Sequence, residues 1–329
     1  MSPTRPRTAG PHSASPLEAE VRPAWPYRLP AKGGGDGVLR VRGGVVSRLL
    51  HVQEAPVLVR AWQPADKRVV FRAEPLDPAA LGGPELVGGP ECERPAGREQ
   101  LEVAIERMRF ALGVDDDYTA FYQRFRSDRL VGPVVRRRSH LRPRRRPWPW
   151  EALAWAVTAQ LIEAVRAARI QRRIVRRWGP RLGEGREALR DVPGAAVIAG
   201  RAPAELESMD LAGRRSIALR AAARAIVAGR CDPADPAADR RLLELSNIGP
   251  WTVQCLGLHG RGEPDSLPAG DLAYVKLVGH LAGLGRRATV EEVEAFYAPY
   301  APYRGLAGFF SLLGYHHVVA QGPPLRLAA

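Results

Sequence analysis

The sequence predicts a mainly α-helical protein with a small N-terminal α/β domain. Three observations predict it. Short β-branched runs are confined to residues 38–74, while residues 150–320 carry apolar residues at three- and four-residue spacing, broken by Gly or Pro. The chain has 329 residues of which 45% are hydrophobic, enough to bury a full core.

Residues 1–35 hold Pro3, Pro6, Pro11, Pro16, Pro23, Pro26 and Pro30 followed by Gly33-Gly34-Gly35, which predicts a disordered tail. Residues 36–140 predict the α/β domain. VLRVRGGVV, APVLVRAWQ and KRVVFRAEP read as antiparallel strands, with turns at Gly43-Gly44 and Pro64-Ala65-Asp66. Leu101, Ile105, Met108 and Leu112 within residues 99–113 predict an amphipathic helix lying on that sheet. Arg136, Arg137, Arg138, Arg142, Arg144, Arg145 and Arg146, interrupted by Pro143, read as a solvated linker, or alternatively as a phosphate-contacting flank.

Residues 141–329 predict a helical domain. Strand signals nearly vanish there, and segments such as WEALAWAVTAQL, EAVRAARIQRRIVRRW, RRSIALRAAARAIVAG, DLAYVKLVGHLAGL and LAGFFSLLGYHH read as short helices with Gly or Pro at their ends.

Charge and composition narrow the function. Lys plus Arg is 49 against 35 for Asp plus Glu, a net charge of +14, which suits a polyanionic partner and first of all nucleic acid. Only Lys32, Lys67 and Lys276 are lysines, so the arginine excess also fits a compositional bias of the coding sequence. Cys92, Cys231 and Cys255 are too few and too far apart for a disulfide framework or a metal cluster, and the seven histidines show no zinc-binding spacing. Chemistry is expected to rest on side chains, with no metal. The absence of a long apolar run and of an apolar signal core predicts no membrane association and a cytoplasmic location.

One segment carries more specific information. Asp235-Pro236 opens a helix with a capping carboxylate and an early proline; the helix stops at Ser246-Asn247-Ile248-Gly249, and a second starts at Pro250. Such a turn leaves backbone N–H groups free to hold an anion, for instance a DNA phosphate. The stretch LSNIGPWTV resembles the hairpin of the helix-hairpin-helix DNA glycosylase superfamily through Leu245, Ile248, Gly249, Pro250, Trp251 and Thr252. It departs at Ser246 and Asn247, where the family has proline and glycine; asparagine tolerates the left-handed backbone that such a turn needs. The family places an aspartate about two dozen residues beyond the hairpin, and here LPAGDLAYVK supplies Asp271, 271 − 249 = 22 positions after Gly249. Read without the hairpin, Asp271 is a plain N-cap for the helix containing Leu272, Val275 and Val278.

The resemblance implies a helix-hairpin-helix glycosylase bundle behind a TATA-box-protein-like α/β domain, and is nearest to the bacterial 3-methyladenine DNA glycosylase II branch. It implies Asp271 as the catalytic carboxylate, Ser246, Asn247, Ile248, Gly249 and Thr252 as the DNA-binding hairpin, and Trp251, Cys255 and Tyr274 around the base. Residues 159–162 (AQLI) are similar to the family's Gly-Gln-Leu-Val, with departures at Ala159 and at the following Glu163. This implies Gln160 and Leu161 as the wedge that fills the stack when a base is flipped. A core reading also fits, because Leu153, Val157 and Leu161 share one helical face. Bifunctional relatives carry a lysine where Trp251 stands, so the resemblance implies hydrolysis without strand cleavage. Cys255 replaces a family tyrosine, and no tryptophan occurs in the last helix, so Tyr274, Phe309, Phe310 or Tyr315 are candidate replacement walls. Residues 109–137 match the family as packing residues. The implied partner is double-stranded DNA containing damaged bases, bound by a monomer with no cofactor, save room for a monovalent cation at the hairpin. A non-catalytic helix-hairpin-helix DNA-binding protein, and an Arg-rich structural protein coating nucleic acid through residues 1–146, are the competing readings.

Overall fold

A computed structural model of the chain describes residues 14–82 and 95–319. Five antiparallel strands, β1 (Leu17–Val21), β2 (Arg40–Arg42), β3 (Val45–Val52), β4 (Ala55–Trp62) and β5 (Val69–Pro75), form a sheet of order β1-β5-β4-β3-β2. Helix α1 (Arg98–Leu112) lies on it and buries Leu101, Ile105, Met108 and Leu112 against Val46, Leu50, Val57, Val59 and Phe71. The helix stops at Gly113, whose φ of 65° is a left-handed cap.

Two expectations fail here. Residues 14–35 are not a free tail, because β1 pairs along the sheet edge with Leu17 opposite Ala73 and Val21 opposite Val69. Pro16 and Pro23 flank that strand without entering it, and an edge position tolerates them. The first thirteen residues lie outside those described. The run after the Gly43-Gly44 turn does not stop at Val46 but continues to Val52 as β3, paired with both β2 and β4; its hairpin turn to β4, Gln53-Glu54, reaches φ of 48° and 66° without glycine or asparagine.

The helical part contains α2 (Thr119–Phe125), α3 (Gly132–Arg137), α4 (Pro149–Ala159), α5 (Ala164–Trp178), α6 (Ala195–Ala199), α7 (Pro203–Glu207), α8 (Gly213–Val227), α9 (Asp239–Leu243), α10 (Pro250–Leu256), α11 (Leu272–Leu281), α12 (Val290–Tyr297) and α13 (Arg304–Val319). It has two cores. One joins Leu153, Val157, Ile170, Ile174 and Leu219 to Leu242, Ile248, Val253 and Leu256. The other joins Phe121, Leu130 and Val135 to Tyr274, Leu277, Val293, Tyr297 and Phe310. The packing boundary therefore falls near residue 114, ahead of the expected 140, since α2 and α3 complete the core of the last three helices. None of the described helices is long and apolar enough to cross a membrane.

The arginine-rich segment is neither a solvated linker nor a free flank throughout. Arg142 stacks over Tyr118 at 4.7 Å, Arg145 stacks over Phe110 at 4.5 Å and pairs with Asp116, and Arg146 pairs with Asp36 and Glu151. Asp36, Arg48, Glu151 and Asp191 are all buried and knit sheet to bundle: Arg48 meets Glu151 at 2.6 Å and Asp191 at 3.5 Å, while the Trp155 indole donates to Asp36 at 3.0 Å. Desolvation at these depths is severe and the surrounding opposite charges offset it: they hold the Asp36 carboxyl below its ordinary value, whereas burial still pushes the Glu151 carboxyl up.

Candidate functional site

The site is built where the two helical cores meet. Asp235 caps a single 3-10 turn by accepting from the Ala237 N–H at 2.9 Å, and α9 follows. Asn247 then takes φ 64°, the left-handed turn position, and buried Ile248 plugs the turn into the first core. Gly249 is instructive. Its φ of −112° and ψ of 178° suit any residue, and a side chain there would meet nothing within 4 Å. Neither backbone strain nor internal packing requires glycine there. The N–H groups of Gly249 and Trp251 have no main-chain partner among the described residues.

A latch ties the wedge segment to this hairpin. Gln160 Nε2 donates to the Asn247 carbonyl at 2.8 Å and to Thr252 Oγ1 at 2.9 Å. Thr252 is buried, so it holds the latch and is not available as a DNA contact of its own. Helix α4 ends at Ala159, one residue short of Gln160. Leu161 consequently leaves the helical face shared by Leu153 and Val157: those two are fully buried, whereas Leu161 is fully exposed at φ 57°. A leucine in the left-handed region costs about 1–2 kcal/mol, and an exposed one recovers none of it by packing. The core reading of Leu161 is thereby overturned.

Asp271 caps α11. Its Oδ1 accepts the Ala273 N–H at 2.8 Å, its own N–H donates to Pro268 O at 2.9 Å, and among the described residues Oδ2 has no protein donor. Trp251 stands beside the approach loop, with Cβ and Cδ1 each 3.9 Å from where a Gly270 side chain would begin; Val290 Cγ2 is at 3.8 Å. The Trp251 Nε1 atom is buried without a partner. Burial, reinforced by the Asp271 carboxylate, drives the Cys255 thiol far above its ordinary value. Burial does the same to the Tyr274 phenol, with Tyr297 and Asp271 adding to it. Desolvation pushes the His259 imidazole below its usual range. The half-buried carboxylate is thus set among groups held neutral.

The remaining expected residues separate. Ser246 and Asn247 are exposed on the hairpin, joined to each other by an Nδ2–Oγ bond of 2.9 Å. Tyr274 is buried, edge-on to Tyr297 at 5.8 Å, with its hydroxyl over Gly308. Phe310 packs on Tyr118 and Phe121 inside the second core and Phe309 leans on Phe310, so neither forms a wall at Asp271. The side chain of Tyr315 lies outside those described. Lys276 is exposed on α11, about 7.5 Å further along the axis than Asp271. Cavities of 570 Å³, behind the loop at Asp265 and Arg304, and of 300 Å³, at Asp116 and Tyr118, are lined by neither Asp271 nor Trp251.

Sequence reasoning missed the latch and left Leu161 open between wedge and core. The end of α4 at Ala159 produces both the latch and the exposure, and nothing local in AVTAQLIEAV marks that end, since neither Gly nor Pro stands there.

No family model matches the chain. It is 22% identical over 223 residues to a DNA-3-methyladenine glycosylase of Bacillus subtilis, covering 66% of this chain and 74% of that protein. It is 28% identical over 233 residues to a probable bifunctional transcriptional activator/DNA repair enzyme AlkA of Mycobacterium tuberculosis, covering 68% of this chain but 45% of the relative. Among solved structures, a 3-methyladenine DNA glycosylase of Archaeoglobus fulgidus superposes with a TM-score of 0.70 at 16% identity, over 91% of this chain and 99% of that one. An 8-oxoguanine glycosylase/lyase of Clostridium acetobutylicum gives 0.65 at 14% identity, over 92% and 98%. The fold is that of the helix-hairpin-helix glycosylases, mainly α with a small antiparallel sheet.

Proposed function

We propose that the chain is a monofunctional DNA glycosylase that hydrolyses the N-glycosidic bond of alkylated bases of the 3-methyladenine type in duplex DNA. The observation that carries this reading is the arrangement around Asp271: a carboxylate with one committed and one free oxygen, beside Trp251, on the helix that follows the hairpin. Cleavage lets the base leave with the bonding electrons, and positive charge grows on the deoxyribose; a carboxylate facing the sugar stabilises that charge. Asp271 then takes a proton from the attacking water, whose oxygen bonds to C1′. Side chains and water suffice for these steps.

Around that centre, Ser246, Asn247, Ile248 and Gly249 would hold a phosphate through main-chain N–H groups. A monovalent cation bound there would be held by carbonyls such as those of Ser246 and Ile248, which accept no main-chain bond among the described residues, and would add positive charge to the phosphate seat. Leu161 would enter the gap left by the base, its exposure and strain being the features expected of a side chain whose partner is not the protein. Trp251 offers an aromatic face for a cationic purine, with Cys255 and Tyr274 buried behind it. The N-terminal sheet with α1 would be the TATA-box-protein-like unit. DNA engaged this way needs a single copy of the chain, working where the chromosome lies.

The test is chromatography of free bases released from methylated duplex DNA. Release of 3-methyladenine supports the reading, and none at any enzyme concentration removes it. Because tryptophan stands at 251, borohydride should trap no protein–DNA adduct; an adduct abolished by Lys276→Ala would end the monofunctional assignment. The non-catalytic alternative would show binding to methylated duplex with no base released.

A further inference from the structure

The loop between the hairpin helix and α11 decides where Asp271 sits, yet little packs behind part of it. The 570 Å³ cavity lies there, lined by Gln254, Asp265, Leu267 and Arg304 among others. A loop with open space at its back needs another restraint, and the structure supplies a polar one. Asp265 Oδ1 accepts the main-chain N–H of Arg304 at 2.9 Å and its Nε at 3.0 Å, and Oδ2 accepts from Nη2. Arg304 is the first residue of α13, so the loop caps a helix that begins 39 residues later in the chain. Alongside, Pro264 O accepts the Leu306 N–H at 2.8 Å and Ser266 Oγ donates to the Gln254 carbonyl of α10 at 2.9 Å. A side chain at Gly305 would begin 2.2 Å from Ser266 O, so the contact admits only glycine. Burial acts to raise the Asp265 carboxyl, but the hydrogen bonds from Arg304 hold it below its ordinary value.

We infer that Asp265 and Arg304 are positioning residues, a strap that fixes the loop presenting Asp271 against the phosphate-holding hairpin. The inference rests on the reading of Asp271 as the catalytic carboxylate. Leu267, Pro268 and Ala269 are buried between the strap and Asp271, so a shift at Asp265 is transmitted along a stiff segment. The fork geometry matters as well as the charge, because two guanidinium donors and one backbone donor converge on one carboxylate. A displacement of about 1 Å at the reacting group costs roughly a hundredfold in rate.

The experiment uses the full chain carrying Arg304→Ala, Asp265→Ala, both together, or Arg304→Lys. Amide exchange by mass spectrometry is followed over residues 263–273, steady-state base release from methylated duplex is measured, and melting is recorded. Faster exchange confined to that segment is expected in both single variants, with kcat down about a hundredfold and KM within about threefold. The double variant should be no worse than either single one, and Arg304→Lys should recover only part of the loss. Unchanged exchange would overturn the strap. Faster exchange with unchanged kcat, or a loss expressed in KM or in melting temperature alone, would overturn its positioning role. Absence of base release by the unmodified chain would instead defeat the functional reading, and the exchange data would still decide whether the strap exists.

Discussion

Two sets of acidic side chains in this molecule are arranged on opposite principles. At the junction of sheet and bundle, Asp36, Glu151 and Asp191 are each 4% exposed or less, and Arg48, Arg146, His51 and Trp155 surround them. At the end of α11, Asp271 is half-buried and receives one protein hydrogen bond. The first set is saturated because an unpaired charge at that depth would cost several kcal/mol of stability; the second keeps an oxygen free. Buried charge alone is therefore a poor guide to chemistry in this chain. Incomplete satisfaction at an accessible helix end is a better one.

Variants can break this contrast. Asp271→Asn should lower base release by about a thousandfold or more while leaving melting unchanged and binding to lesion DNA within about tenfold, since the lost interaction belongs to the transition state. A fully active variant would move the chemistry elsewhere. Glu151→Ala should do the reverse, removing about 3–5 kcal/mol of stability by taking away the nearest partner of Arg48 and leaving it the longer Asp191 contact, with base release per folded molecule preserved; denaturant titration measures the first and active-site-normalised kinetics the second. A Glu151 variant of native stability would mean that the network is less desolvated than its exposure indicates.

Leu161→Ala sharpens the comparison at the wedge. It should cost about tenfold or more in kcat/KM on duplex DNA and much less on single-stranded substrate, where no stack is refilled, without lowering the melting temperature. Equal losses on both substrates would place Leu161 at the base itself. The smallest effect is expected from Gly249→Ala, which the backbone accommodates without strain: unchanged melting, with binding to every duplex weakened by up to about tenfold as a phosphate contact is hindered. Fluorescence anisotropy with undamaged and damaged duplexes distinguishes this from a lesion-selective loss.

Much was legible from local sequence. Leu101, Ile105, Met108 and Leu112 named the buried face of α1, the Gly43-Gly44 turn separated β2 from β3, LSNIGPWTV marked the turn into α10, and Asp271 was readable as the N-cap of α11. These features depend on periodicity, caps and turn chemistry, which act within a few residues. Leu161 could not be decided this way. The AQLI resemblance offered it as the wedge while helical spacing equally allowed the core with Leu153 and Val157, and only the latch from Gln160 to Asn247 and Thr252, some ninety residues away, fixes a chain path that leaves it outside. The arginines from Arg142 to Arg146 were misread for the same reason, because their partners Asp36, Asp116, Phe110 and Tyr118 belong to other elements.

The sequence by itself determined the element types outside β1, the amphipathic faces, the hairpin and the position of Asp271 along the chain, since each follows from interactions between near neighbours. Tertiary structure alone decided that residues 17–21 close the sheet edge, that α2 and α3 belong with the last helices, that Phe309 and Phe310 are core, and that the Asp271 loop is strapped to α13. Those outcomes rest on contacts between residues distant in sequence, where the same arginine, leucine or phenylalanine can be surface or core until a partner arrives.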